Sequence, residues 1–184
     1  MIDGIILAAG YSSRFTQNKM CALYLNKPLI LHTIENMHSV CEKIYLVTGH
    51  YHQEIVEIVK GIKDVEVVYN ENYDQGMFSS VLTGVSRVSH DFFIIPGDYP
   101  LVKKTVYQEI LKGASELRVP SYKGRLGHPL FMKKTLINNL LKTEATNLKE
   151  FRNFYPYQII EVSDESILLD IDTIDDLLSL EGKE

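Results

Sequence analysis

A turn of small residues near the start of the chain is followed by two cations. An apolar run that ends at Leu7 leads directly into Ala8, Ala9 and Gly10. Arg14 and Lys19 follow in a polar segment. Small residues let backbone N–H groups approach a ligand closely, and two cations just beyond can bind a polyphosphate. Because such turns are also common packing features and cations are common in solvated loops, only their combination favours a nucleotide site.

Two carboxylates are candidate ligands for Mg²⁺. Asp98 comes just after the apolar run of residues 92–95, and Asp172 lies in an alternating run near the C-terminus. An oxygen ligand at the carboxyl end of a central strand, on the same edge as the cations, is where a bound triphosphate needs one. The alternatives are that Asp98 stabilises its turn or caps the next helix, and that Asp172 caps the last helix.

Two further loops carry groups that could bind a nucleotide or an acceptor. A long polar loop begins at Asn70 and closes into a helix that contains Gly76 and Ser80 at its start. Gly127 and His128 form a turn in which a rigidly flanked imidazole could orient an acceptor. The alternatives are a capped surface loop for the first and a structural histidine for the second.

Short apolar runs alternate with helical patterns through the first two thirds of the chain. The runs predicted as strands are residues 5–7, 43–47, 65–69 and 92–95. The segments predicted as helices are residues 28–40, 53–60, 78–88 and 105–117. Near-continuous apolar runs are typical of strands covered on both faces, which predicts an α/β fold with a doubly wound, mainly parallel sheet. Ligands bind at the carboxyl ends of such strands, so the loops after them should share one edge.

The pattern changes after residue 118. Residues 118–120 and 129–132 predict a hairpin, residues 158–162 and 167–171 two late strands, and residues 173–180 a last helix. We interpret this half as a small β-hairpin and helical cover over the sheet edge. The chain of 184 residues is then expected to form a single domain, residues 1–184.

Composition restricts the partners. The net charge of −5 and pI near 5.7 give no general electrostatic footprint for nucleic acid or an anionic membrane. Cys21 and Cys41 have no metal-binding or CxxC spacing, and the N-terminus lacks a basic leader. The opening segment also lacks the Gly-x-Gly-x-x-Gly pattern of dinucleotide-binding folds and the Gly-Lys-Ser/Thr sequence that ends a P-loop. We expect a cytoplasmic protein with reduced thiols that is neither a Rossmann dehydrogenase nor a P-loop ATPase.

Six motifs follow one another along the chain. They are Leu7-Ala8-Ala9-Gly10 with Arg14, Lys19, Gly76-Met77 with Ser80, Asp98 with Pro100-Leu101-Val102, Gly127-His128-Pro129, and Asp170-Ile171-Asp172-Thr173. In this order they resemble the nucleotidyltransferases of molybdenum cofactor maturation, especially the cytidylyl members. The resemblance implies the nucleotide-diphospho-sugar transferase fold and Mg²⁺ on Asp98 and Asp172. It implies catalytic roles for Arg14, Lys19 and Asp98, acceptor binding at Gly127 and His128, and nucleotide binding by Leu7, Ala8, Ala9, Gly10, Arg14, Lys19, Asn70, Gly76 and Ser80.

The resemblance also implies a reaction. Ala9 stands where guanylyl members have glycine, which favours CTP over GTP and other nucleoside triphosphates. CMP would pass to a molybdopterin-type cofactor, with a molybdenum hydroxylase apoenzyme as the expected later partner. The alternatives are a nucleotidyltransferase for a sugar, choline or isoprenoid phosphate, and a non-catalytic accessory protein. The chain departs from the family pattern at Phe15-Thr16, at Tyr99, and at residues 143–148, where a Gly-Asp-x-Gly-Ala-Arg segment is absent.

Overall fold

The computed structural model describes residues 1–15 and 17–181, so the predicted departure at Thr16 lies outside the described residues. The strands are β1 (Ile2–Ala8), β2 (Leu23–Tyr24), β3 (Lys27–Pro28), β4 (Lys43–Thr48), β5 (Val65–Tyr69), β6 (Asp91–Pro96), β7 (Leu117–Tyr122), β8 (Arg125–Leu126), β9 (Leu130–Met132) and β10 (Gln158–Glu161). The helices are α1 (Leu29–His38), α2 (His52–Val59), α3 (Met77–Val85), α4 (Lys104–Leu111), α5 (Ile137–Leu141), α6 (Leu148–Phe154) and α7 (Ile174–Glu181).

The main sheet is mixed and mostly parallel. Its strand order is β10-β7-β9-β6-β1-β4-β5, with β8 paired to β7. Strands β1, β4, β5 and β6 run parallel, whereas β9 runs antiparallel to β6 and β7. The chain passes from β1 to β4 and β5 on one side and returns to β6 on the other. This reversal is a topological switch point, and it opens a crevice at the carboxyl ends of β1 and β6. The predicted doubly wound fold is confirmed.

Alternating residues on the central strands build a core on each face of the sheet. Ile6, Leu46 and Ile95 pack with α1, α2 and α4. Ile5 and Val47 lie on the opposite face with α3, α5 and α6. Because both faces are covered, the strands are apolar throughout, and rigid strand ends hold the loops that follow them. No helix in residues 1–15 and 17–181 is long and apolar enough to span a membrane.

The helix predicted over residues 105–117 was too long. The structure ends α4 at Leu111, and β7 already begins at Leu117. The cause is Arg118, a buried side chain that donates hydrogen bonds from Nη1 to the carbonyl oxygens of Leu111 and Ile110. These carbonyls lie in the last turn of α4, where the Ile110 carbonyl oxygen also accepts from the Gly113 N–H, so contacts from beyond the helix stabilise its end.

The predicted strand over residues 167–171 was wrong. A short 3₁₀ helix, Glu165–Leu168, occupies its first half. The Asp164 side chain accepts a hydrogen bond from the Ser166 N–H, which favours a turn at this point. The predicted hairpin partner strands do pair, because β7 is antiparallel to both β8 and β9.

Candidate functional site

A cleft of about 160 Å³ opens at the carboxyl ends of β1 and β6. It lies at the switch point, where the Gly97 N–H donates to the Leu7 carbonyl oxygen and joins the two strand ends. The lining residues are Leu7, Ala8, Gly10, Ser12, Ser13, Arg14, Lys19, Met20, Met77, Pro96, Asp98 and Asp172. The structure therefore brings together both predicted cations and both predicted carboxylates.

Lys19 joins the two carboxylates in the cleft. Its Nζ lies 2.5 Å from Asp98 Oδ2 and 3.0 Å from Asp172 Oδ1. Arg14 Nη1 lies 2.7 Å from Asp172 Oδ2. The Lys19 side chain is only 15% exposed, whereas that of Arg14 is 67% exposed. The Ser12 hydroxyl accepts a hydrogen bond from the Lys19 N–H and fixes the start of the lysine's short helix.

Asp172 is not the cap of the last helix, which corrects one of its two predicted roles. The cap is the next residue, Thr173, whose hydroxyl accepts a hydrogen bond from the Asp176 N–H. The Asp176 carboxylate in turn accepts a hydrogen bond from the Thr173 N–H. This is a capping box. The Ile171 N–H also donates to the Asp98 carbonyl oxygen, which ties the two carboxylate segments together. The Asp172 side chain is consequently directed to the cleft cations.

Three carboxylates form a cluster with the donor set that a divalent cation prefers. Asp98, Asp170 and Asp172 each offer an oxygen, and these oxygens lie within 4.8 Å of one another. Asp98 Oδ1 is buried and accepts no hydrogen bond from any residue that the structure describes. Hard carboxylate oxygens suit Mg²⁺ and Mn²⁺, and a buried unpaired oxygen is costly without a partner. Asp170 was not predicted as a ligand, although its alternation with Asp172 was a signal for it.

The charges in the cleft stabilise one another. Burial alone would lower the pKa of Lys19, but its contacts with Asp98 and Asp172 outweigh burial and raise the pKa. Burial would raise the pKa of Asp172, yet Lys19 and Arg14 lower it overall. For Asp170, burial and the neighbouring carboxylates together raise the pKa. The crowded carboxylates therefore depend on nearby positive charge to remain ionised. A bound metal ion would also supply that charge.

The two glycines beside the β1 turn differ in what surrounds them. A Cβ at Gly49 would meet the Tyr73 Cβ at 2.5 Å and the Ala9 carbonyl oxygen at 2.7 Å, so this glycine is required for packing. A Cβ at Gly10 would meet no atom within 4 Å. The protein's own atoms thus leave the space above Gly10 open, directly on the cleft.

Asn70, Gly76 and Ser80 lie outside the lining of the cleft. The buried Asn70 side chain donates to the hydroxyls of Ser79 and Ser80, both at 2.9 Å, and accepts from the Asn72 N–H. Gly76, with φ of 97°, precedes the first residue of α3. These contacts fix the loop that carries Met77 to the cleft. The predicted contact of these residues with a nucleotide stays a prediction, as it does for Ala9, which is buried beneath the turn.

Gly127 and His128 lie in a second cavity of about 250 Å³, which shares Met77 with the cleft. The His128 N–H donates to the Ile167 carbonyl oxygen, against which Gly127 is closely packed. Burial and the nearby Arg152 lower the pKa of His128 to about 4. The imidazole is therefore neutral near pH 7.

Residues 4–158 match the MobA-like NTP transferase domain. The chain belongs to the MobA-like NTP transferase family. This MobA-like chain is 30% identical over 181 residues to the molybdenum cofactor cytidylyltransferase of Escherichia coli K12, covering 97% of this chain and 94% of that protein. It is 28% identical to a probable molybdenum cofactor guanylyltransferase of Flavobacterium johnsoniae, covering 95% and 94%. The predicted class, a nucleotidyltransferase, is confirmed.

Solved structures share the fold of this MobA-like chain. A nucleotidyl transferase from Methanothermobacter thermautotroptrophicus has a TM-score of 0.83 at 22% identity, over 99% of this chain and 96% of that one. Rv0371c of Mycobacterium tuberculosis H37Rv, in complex with manganese, has a TM-score of 0.79 at 22% identity, over 100% and 99%. At this identity they establish the nucleotide-diphospho-sugar transferase fold.

Proposed function

We propose that this MobA-like protein transfers CMP from CTP to the phosphate of a molybdopterin-type cofactor and releases pyrophosphate. One observation carries the proposal: the cluster of Lys19, Asp98, Asp172 and Arg14 at the switch point. The similarity to the E. coli cytidylyltransferase over 97% of the chain supports the choice of CTP and acceptor. The direct test is transfer of label from α-³²P-CTP to molybdopterin. If the acceptor remains unlabelled, the proposal is overturned.

The carboxylate cluster fits a divalent cation, and we propose Mg²⁺ on Asp98 and Asp172 with Asp170 as a further ligand. The manganese complex of the Mycobacterium tuberculosis protein supports a cation of this kind. When bound, such an ion withdraws charge from phosphoryl oxygens and orients them. Lys19 contacts the same carboxylates, so binding of a cation there would release its ammonium group towards the triphosphate.

The remaining work is positioning and charge stabilisation. We assign Arg14 and Lys19 to the phosphates of CTP, with the backbone of Leu7, Ala8, Ala9 and Gly10 beside them. An oxygen of the acceptor phosphate forms a bond to the α-phosphorus, the bond from the α-phosphorus to the bridging oxygen breaks, and its electron pair leaves with pyrophosphate. Charge builds on oxygens close to the two cations, where preorganised donors act most strongly. No covalent protein intermediate is required.

The acceptor is assigned to the side of His128. The second cavity adjoins the cleft at Met77, so an acceptor whose phosphate enters the cleft can extend into it. Gly127 and His128 would hold that acceptor, and a neutral imidazole can donate one hydrogen bond and accept another. A molybdenum hydroxylase apoenzyme is the proposed recipient of the finished cofactor.

CTP with Mg²⁺ is expected to stabilise the protein more than GTP with Mg²⁺ does. The reason is Ala9 in the first loop, where guanylyl members have glycine. Ligand at a hundredfold excess over its Kd adds about 2.7 kcal/mol to the unfolding free energy. Thermal unfolding in the presence of each nucleotide measures the difference. Equal shifts for CTP and GTP would contradict the assignment of the base.

Gly10→Ala is expected to weaken nucleotide binding without loss of stability. The structure leaves space for the new methyl group, so the unfolding free energy should change by less than about 0.5 kcal/mol. The methyl group would instead occupy the space of a phosphate held near the backbone. Gly49→Ala is the matched control, and its clash should cost roughly 1–3 kcal/mol of stability. Calorimetric titration with CTP and thermal unfolding are measured for both variants. Unchanged CTP affinity in Gly10→Ala would argue against close approach of a phosphate to the Gly10 backbone.

A further inference from the structure

The second cavity has an apolar floor and cations at one side. The floor is formed by Phe78, Val81, Leu126, Leu130 and Leu148. Lys149 and Arg152, both from α6, line the same cavity. No carboxylate is among the described residues that line it. A cavity of this composition suits a ligand with a flat or apolar body and an anionic end.

Neither cation is neutralised by the protein. Within residues 1–15 and 17–181, Lys149 and Arg152 form no ion pair. Glu150 lies between them in sequence, but its carboxylate accepts from the Thr146 N–H at 2.7 Å and from the Thr146 hydroxyl at 2.8 Å. In a chain of net charge −5, two cations without carboxylate partners make this cavity locally positive.

Two buried nitrogens at the cavity have no hydrogen-bond partner in the described part of the chain. They are His128 Nδ1 and Arg152 Nε. The Arg152 guanidinium also lies over the Tyr157 ring, 5.2 Å from its centroid, which holds the side chain in place. Unpaired buried nitrogens cost free energy, and a ligand that offers acceptor atoms after a small side-chain shift would remove that cost.

The second cavity is coupled to the carboxylate cluster through Tyr99. Its ring lies 5.1 Å from the His128 ring, centroid to centroid. Tyr99 directly follows Asp98 of the carboxylate cluster in the chain. Met77 lines both the cleft and the second cavity, so one ligand could contact both sites.

We propose that the second cavity binds the part of the acceptor that lies beyond its reacting phosphate, and that Lys149 and Arg152 select acceptors with a second anionic group in that part. The inference rests on the proposed function, because it requires a phosphate-bearing acceptor in the adjoining cleft. The enedithiolate of molybdopterin is such a group. Choline phosphate, with a cationic remote end, is repelled, and a neutral sugar phosphate gains nothing from the two cations.

The test uses Lys149→Gln and Arg152→Gln in the full-length protein, with Lys142→Gln as a matched control. Lys142 is exposed, precedes α6 and does not line the cavity. With saturating CTP and molybdopterin as acceptor, each cavity variant should raise the KM for the acceptor about tenfold, with kcat within about threefold of wild type. The Kd for CTP, measured by calorimetry, and the control variant should match wild type. A merely structural role would lower CTP binding and thermal stability as well.

Each outcome has one meaning. An unchanged KM in both cavity variants, or an equal rise in Lys142→Gln, overturns the inference. Absence of pyrophosphate release by wild type with molybdopterin overturns the proposed function instead. In that case the same variants are measured with whichever of 3-phosphoglycerate, glucose 1-phosphate and choline phosphate wild type uses. The inference survives there only if that acceptor is 3-phosphoglycerate, which carries a carboxylate besides its phosphate, and both variants raise its KM. Use of none of the three acceptors overturns it.

Discussion

Asp98→Asn is expected to abolish nucleotidyl transfer while the protein remains folded. Asparagine keeps the shape of the side chain and one oxygen for Lys19, but it removes the charge that a divalent cation needs. We expect kcat/KM for CTP to fall by about 10³-fold or more, equivalent to about 4 kcal/mol of transition-state stabilisation. Steady-state pyrophosphate release at saturating Mg²⁺ measures the loss, and circular dichroism measures the fold.

Asp176→Asn is the matched control for Asp98→Asn. Asp176 is in the capping box of α7, where its carboxylate accepts from the Thr173 N–H and hydroxyl and from the Asp172 N–H, but it is not one of the three clustered carboxylates. Its replacement should lower stability by no more than about 1 kcal/mol and leave turnover within about threefold, because asparagine is a weaker charge partner but still an acceptor. Wild-type turnover in Asp98→Asn would return Asp98 to a purely structural role.

Lys19→Ala and Arg14→Ala are expected to lose roughly 2–4 kcal/mol of transition-state stabilisation each. Lys19 should have the larger effect, because it is 15% exposed whereas Arg14 is 67% exposed and screened by water. Both side chains contact Asp172, so the effects in the double variant should not add. The measurement is kcat/KM for CTP in both single variants and the double variant.

Lys27→Ala controls for the loss of a surface cation. Lys27 pairs with Glu35 at the surface and does not line the cleft. It should change kcat/KM less than about threefold, which is the size of a surface effect. If Lys19→Ala and Arg14→Ala change it no more than Lys27→Ala does, the two cations are ordinary loop residues and do not contact the triphosphate.

The strands of the central sheet were predictable from local sequence. The run over residues 65–69 matches β5 in both bounds, and residues 43–47 fall within β4. Buried parallel strands need apolar residues on both faces, and few other elements of this length show that pattern. Residues 167–171 have the same apolar character but form no strand. Their backbone pairs instead with distant turns, Ile167 with His128 and Ile171 with Asp98, and no local pattern reveals such contacts.

The cleft was partly predictable for a similar reason. The rule that ligands bind at the carboxyl ends of parallel strands placed Asp98 near Lys19, although 79 positions separate them. Lys19 and Asp172 are 153 positions apart, and they meet only because the C-terminal half folds back to the cleft. Lys149 and Arg152 were not predicted, because a cation beside a cavity has the same sequence signature as a cation in solvent.

The central claim is that CTP and a molybdopterin-type acceptor react in the cleft between β1 and β6. The most direct measurement is pyrophosphate release from each of CTP, GTP, ATP and UTP with Mg²⁺, with and without molybdopterin. We expect release from CTP that depends on molybdopterin and is at least about tenfold faster than with the other three nucleotides. Release that is equal for all four nucleotides, or that does not depend on molybdopterin, would contradict this account.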